Sequence, residues 1–334
     1  MVIDSCLDDD GEPVALNYLK GLGLDAAKVV KHVVVTHWHD DHHGGAARLL
    51  KACTSAKFWC SGALKSEEFL TVAEVARDLP LGETGISELA EVLEELALRS
   101  DGARRASVGP GFVMERTLMV EREIPPLRVL ALSPSSATAT LAVNEIAEML
   151  PTLKSGTRRL VAQEPNALSV VLALRFGNRW VLLGSDLEES ANALTGWTAV
   201  CEVASDLGCT KAHIFKIPHH GSETGHCDRV WTERIEVGAT GILTPFRSHK
   251  LPKDEDISRL LGLLGALYAT ASPKGRKLLV TRPPVVEKEL RAVVKERWSI
   301  NPEMGHIRLR FQHASDDPPS IDLVAPAYRV SAVS

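Results

Sequence analysis

Two rhythms of apolar and polar residues run along this chain. Short apolar, β-branched runs stop abruptly at polar loops, and stretches with apolar residues three and four apart follow them. Residues 32–35 read as a buried strand ending at Thr36, and 46–52 resume helical spacing. Further strands are predicted at 1–3, 57–60, 127–132, 169–176, 180–183, 212–217, 240–243 and 306–311, with Gly177-Asn178 turning one pair into a hairpin. Helices are predicted at 15–22, 26–30, 66–99, 137–150, 256–267 and 287–297, with Gly23 as a break between the first two. The tail from Ala314 reads as loose. Strands alternating with helices indicate an α/β protein. At least four strands run out into metal-capable residues, so ligands collect along a sheet edge, where α/β proteins build their sites.

Composition narrows the function classes. The 334 residues are ample for a full core. An aromatic fraction of 5% argues against a base-stacking platform for single strands. A net charge of -5 does not suit a grip on a long phosphate backbone, although a local basic groove stays compatible with it. Cys6, Cys53, Cys60, Cys201, Cys209 and Cys227 form no C-x-x-C pair and read as buried free thiols of a reducing compartment. No leader pattern opens the sequence and no apolar run approaches the ~20 residues of a membrane span, so the expected location is the cytoplasm, without a membrane partner.

The chemistry concentrates in Thr36-His37-Trp38-His39-Asp40-Asp41-His42-His43-Gly44-Gly45. His37 and His39 are two apart, so in an extended chain both side chains face one way and can close on one metal. Asp41 and His42 lie where the chain turns into the next helix and can reach a second. Imidazole nitrogen and carboxylate oxygen suit zinc, manganese or iron. A solvated His-rich loop is the bland alternative, and it accounts poorly for four ligand-type residues after an apolar strand.

This segment resembles the H-x-H-x-D-H signature of metallo-β-lactamase-fold hydrolases. Asp186, after Leu182-Leu183-Gly184, resembles the carboxylate that bridges both metals in that family. Asn166, Ser169 and the hairpin to Asp186, with Lys216-Ile217-Pro218-His219-His220-Gly221-Ser222, resemble the N-x-x-S…G-D and H-H-G-S motifs of the competence-protein (ComEC-type) branch. The resemblance covers roughly residues 1–250. It implies an αββα sandwich over residues 1–272, with 273–334 as a C-terminal helix/strand extension and tail, and leaves open whether the family's first N-terminal strands are present. It implies two divalent ions, zinc first and manganese second, one held by His37, His39 and Asp186 and the other by Asp41, His42, His220 and Asp186. Catalytic roles fall on Asp41, Asp186 and His219, with Asp4 behind the metal ligands. No His lies between His43 and His213, so the first metal would have three protein ligands unless another residue substitutes.

Substrate contacts are expected from His219, Ser222 and His249, Ser222 being equally a helix cap. His43 and Asp40 read as supporting residues, Arg104-Arg105 and Arg158-Arg159 as solvated charge, and His226, His306 and His313 as ordinary. The leading expectation is a two-metal phosphodiesterase acting through a metal-bridging hydroxide on a small-molecule or nucleotide-type phosphodiester. The alternatives are an ester, thioester or lactam hydrolase on the same fold, and a metal-bound sensor or scaffold without catalysis.

Overall fold

Strand alternation decides the layering of this protein. A computed structural model describes residues 1–64, 85–101, 109–154, 165–273, 305–312 and 317–331. One sheet holds four parallel strands in the order β1 (Val2–Ile3), β2 (His32–Val35), β3 (Lys57–Ser61) and β4 (Gly111–Val113). The other holds eight, in the spatial order β14 (Tyr328–Arg329), β11 (Ala266–Ala269), β10 (Ile235–Leu243), β9 (Ala212–Lys216), β8 (Arg179–Leu183), β7 (Leu172–Phe176), β6 (Leu127–Ala131) and β5 (Leu118–Arg122). A separate hairpin pairs β12 (His306–Arg310) with β13 (Ser320–Val324).

Within β2 and β3, Val33, Val35, Phe58 and Cys60 pack on helices Ala46–Ala52 and Gly85–Asp101, while Val34 and Trp59 take the opposite face. There they meet Val129, Ala131 and Leu172 of the larger sheet. The alternate residues of that sheet, Leu130, Ala173, Trp180 and Leu182, join Trp197, Val200 and Leu260 from helices Gly196–Asp206 and Asp254–Leu263. Three apolar clusters therefore separate helix, sheet, sheet and helix, the αββα arrangement of the metallo-β-lactamase fold. Strands β8 to β11 run parallel, so their carboxyl ends share one edge, as do those of β1 and β2.

Several elements differ from the sequence reading. The helix expected over 256–267 ends at Leu263, and β11 follows. Leu264 is already extended, and a Cβ on Gly265 would stand 2.4 Å from the Gly238 carbonyl oxygen, a crossing that glycine alone fits. The tail is not loose throughout, because β14 pairs with β11 and Val330 is buried in the core. The reading missed Gly196–Asp206, β4 and β5, although Trp197, Val200, Cys201 and Ala204 carry helical spacing. Cys6 is exposed and the other five cysteines are buried. The predicted helix 287–297, the 66–99 stretch before Gly85, Arg104-Arg105, Arg158-Arg159, His313 and the side chain of Asp40 lie outside the described residues. Among the described residues, no helix is long and apolar enough to cross a membrane.

Candidate metal centre

The ends of β1, β2 and β8 are tied together by hydroxyls and one carboxylate. Asp4, at a left-handed φ of 59°, accepts the Thr36 amide at 2.7 Å and the Thr36 hydroxyl at 2.9 Å. Its Oδ2 also lies 2.8 Å from Nδ1 of His42. Ser185, just beyond β8, donates to the Thr36 hydroxyl at 2.7 Å, and both hydroxyls stand within 3.3 Å of Nδ1 of His37. These contacts fix the Nδ1 side of His37 and His42, leaving each Nε2 turned toward Asp186.

The loop after β9 is held just as firmly. His219, His220 and Gly221 have φ of 42°, 52° and 84°, three successive residues in the left-handed region that costs most for side chains with a Cβ. The His219 amide donates to the Ser185 carbonyl at 3.0 Å, and Nδ1 of His220 donates to the Thr244 carbonyl at 2.9 Å. Arg259 donates to the Gly221 carbonyl at 2.8 Å, to Asp256 at 2.8 Å and to His226 at 2.8 Å. The Phe246 ring stacks on His220 with centroids 4.8 Å apart.

Six side chains converge as a result. Asp186 is buried and central: Oδ1 is 3.4 Å from Nε2 of His42, and Oδ2 is 3.1 Å from Nε2 of His220 and 4.0 Å from Nε2 of His37. Asp41 Oδ2 lies 3.2 Å from Nε2 of His220 and 3.6 Å from Nε2 of His42. Nε2 of His37 is 3.2 Å from Nδ1 of His39. Two groups have ligand atoms all within 4.8 Å of one another: Asp41, His42, Asp186 and His220, and His37, His39 and Asp186. Asp186 belongs to both.

The electrostatics match a site built for cations. Burial would raise the carboxyls, but hydrogen bonds from His220, and from His42 in the case of Asp186, outweigh it. They hold Asp41 at about 2 and Asp186 well below the usual carboxylate range. Burial opposes charge on His42 and His220, yet Asp4 and Asp186 push His42 up to about 10, and Asp186 and Asp41 push His220 up to about 9. His37, fully buried and near His42, is driven well below its ordinary value. The donor set fits divalent metals: imidazole nitrogens and carboxylates face inward, and His37, His42 and His220 have their outer nitrogens held by oxygen partners, the support that metal-binding histidines normally show.

The remaining predicted residues lie around this cluster. His219 is in neither group. Its Nε2 is 3.3 Å from the Asn166 amide, and its Nδ1 is 2.8 Å from the Thr224 hydroxyl and 3.3 Å from Glu188. Ser222 caps the turn Glu223–Gly225 by accepting from the Thr224 amide. His249 is exposed and stacks on Phe246 at 4.8 Å, one ring removed from His220. His43 is buried, stacks on Trp38 at 5.5 Å and is in neither group. The reading missed Glu188, Arg259, Thr36 and Ser185. Glu188, two residues past Asp186, was within reach of a local search; Arg259 lies far along the chain and carried no such signal.

Fold and cluster together define an α/β protein with two adjoining His/Asp groups able to hold metal at the strand ends. Residues 1–105 match the family model described as Metallo-beta-lactamase superfamily, a span that contains His37, His39, Asp41 and His42. No curated protein matches the chain. The matched family and the His/Asp cluster together point to a metal-dependent hydrolase.

Proposed function

We propose that the chain is a two-metal phosphodiesterase related to the competence-protein (ComEC-type) branch with the H-H-G-S motif. The observation that carries this reading is the sharing of Asp186 between the two ligand groups. His37, His39 and Asp186 would hold one ion, and Asp41, His42, His220 and Asp186 the other, zinc or manganese by donor type. Bound there, divalent ions would supply Lewis acidity toward a phosphoryl oxygen and an acidified water as nucleophile.

The chain's own residues do the rest. His39, one of the three residues that would hold the first ion, also lines a cavity of about 630 Å³, through which substrate would reach it. His219, held by Asn166, Glu188 and Thr224, would pass a proton to a leaving oxygen. His249, stacked on Phe246 in the loop after β10, would contact substrate from that loop, and Ser222 from the turn after β9.

The test is turnover of bis(p-nitrophenyl) phosphate by zinc- or manganese-loaded protein, beside a panel of aryl ester, thioester and lactam substrates. Metal-dependent phosphodiester hydrolysis that vanishes in Asp186→Ala is expected. Faster turnover of a thioester or lactam would transfer the assignment to that bond, and activity without metal would reject the mechanism.

A further inference from the structure

Strand parity places one lysine beside the metal cluster. In β9, Phe215 and Ile217 pack in the helix-covered cluster, so Lys216 between them faces the other way. Its direct partner on β8 is Leu183, which lies against the apolar cluster between the two sheets. Ile3 of β1 lies against the same cluster from the opposite sheet. Lys216 therefore enters the space between the sheets at the strand ends from which Asp4 and Asp186 emerge. Little holds its ammonium locally. Nζ donates to the Ile217 carbonyl at 3.4 Å, longer than most such bonds, and among the described residues it makes no ion pair. Burial lowers the ammonium from its ordinary value, and the carboxylates of Asp186, Asp4 and Asp41 oppose that fall through space. The lysine in turn disfavours positive charge on His220, so its field reaches a ligand of the cluster. A buried ammonium without a contact partner costs stability that an apolar side chain of similar volume would not.

We propose that Lys216 sets the charge of the metal site, loosening its hold on cations and strengthening the hold of the loaded site on an anionic substrate. The proposal rests on the two-metal phosphodiesterase reading above. Two divalent ions outweigh Asp4, Asp41 and Asp186 by one positive charge, and Lys216 raises the excess to two. A phosphodiester and a deprotonated water, with one negative charge each, restore balance. The same ammonium repels the ions beside it, so affinity for metal falls as affinity for an anion rises. An ion that displaces one ring proton still adds net positive charge, so the sign of that repulsion holds.

Lys216→Met, which removes the charge at similar volume, and Lys216→Arg, which keeps the charge, test this on the full chain. Chelator competition should show zinc held about tenfold more tightly by Lys216→Met than by wild type, a direction that damage to the fold does not produce. On the zinc-loaded proteins, calorimetry with methyl phenylphosphonate, a non-hydrolysable monoanion, should show binding about tenfold weaker in Lys216→Met. Calorimetry reads that affinity separately from the fraction of competent protein. Lys216→Arg should stay closer to wild type in both measurements. Where Lys216→Met does not fold, Lys216→Gln supplies the same two readings. Zinc affinity that is unchanged or weaker, or undiminished binding of the phosphonate, would overturn the proposal, and turnover of bis(p-nitrophenyl) phosphate by wild type would still uphold the phosphodiesterase reading. Both shifts without turnover of any phosphodiester would keep the Lys216 assignment and remove the reaction class.

Discussion

Asp4 holds Nδ1 of His42 at 2.8 Å with one carboxylate oxygen while the other accepts the Thr36 amide at 2.7 Å. One side chain thus fixes both the tautomer of a metal-facing imidazole and the end of the strand that carries it. Asp4→Asn and Asp4→Ala should each weaken metal binding by roughly 10–100-fold, the usual cost of losing such support. Competition with a chelator of known affinity measures this, and wild-type affinity in both variants would show that the contact is dispensable.

The shared carboxylate makes the ligands unequal. His39 belongs to one group only and His220 to the other, whereas Asp186 belongs to both. His39→Ala and His220→Ala should each leave about one ion per chain by elemental analysis, and Asp186→Ala well under one. Turnover of the Asp186 variant should fall by at least about 100-fold. Two retained ions in Asp186→Ala would break this scheme.

His42 and His220 give the site its pH dependence. Their values of about 10 and about 9 mean that both rings are protonated near neutrality when no metal is bound. A cation taking Nε2 must displace those protons, so affinity rises as pH climbs toward 9. Calorimetry at pH 7 in buffers of different ionisation enthalpy should report release of at least about two protons on full loading, those of His42 and His220 before any from an acidified water, and release of none would contradict this. Linkage carries a second consequence. A folded-state value above the ordinary 6.5 contributes stability fully below that pH, lost as pH rises through about 9 to 10. The Tm of the metal-free protein should therefore drop across that window.

The two His/Asp groups were largely legible because their residues sit where local patterns end. His37, His39, Asp41 and His42 share one segment after an apolar strand, and Asp186 and His220 each follow another strand. Of the residues that orient them, Asp4 was legible and the others were not. Thr36 and Ser185 are separated by 149 positions, and the partner of His220 is the Thr244 backbone carbonyl, which no side-chain pattern marks. The fold was read well where periodicity was strong, as in Ala46–Ala52, whose bounds match. It was misread where an apolar run changes state, as at Leu264 and Gly265, because a parallel neighbour and a close backbone crossing override helical spacing.

Arg259 is the residue that sequence gave least reason to notice. Its guanidinium joins the Gly221 carbonyl, Asp256 and His226, beside three consecutive residues of positive φ. Arg259→Ala should lower affinity for the ion held through His220 more than for the ion at His37 and His39, and added guanidinium should restore part of it. Equal weakening of both sites would indicate general destabilisation instead.

Anomalous scattering at the zinc edge, from crystals of the full chain grown with zinc, tests the central claim most directly. Two peaks are expected, roughly 3.5–4 Å apart, flanking the Asp186 carboxylate. One should be ringed by His37 and His39, the other by Asp41, His42 and His220. A single peak, or peaks that leave Asp186 uncoordinated, would contradict the paired-metal account.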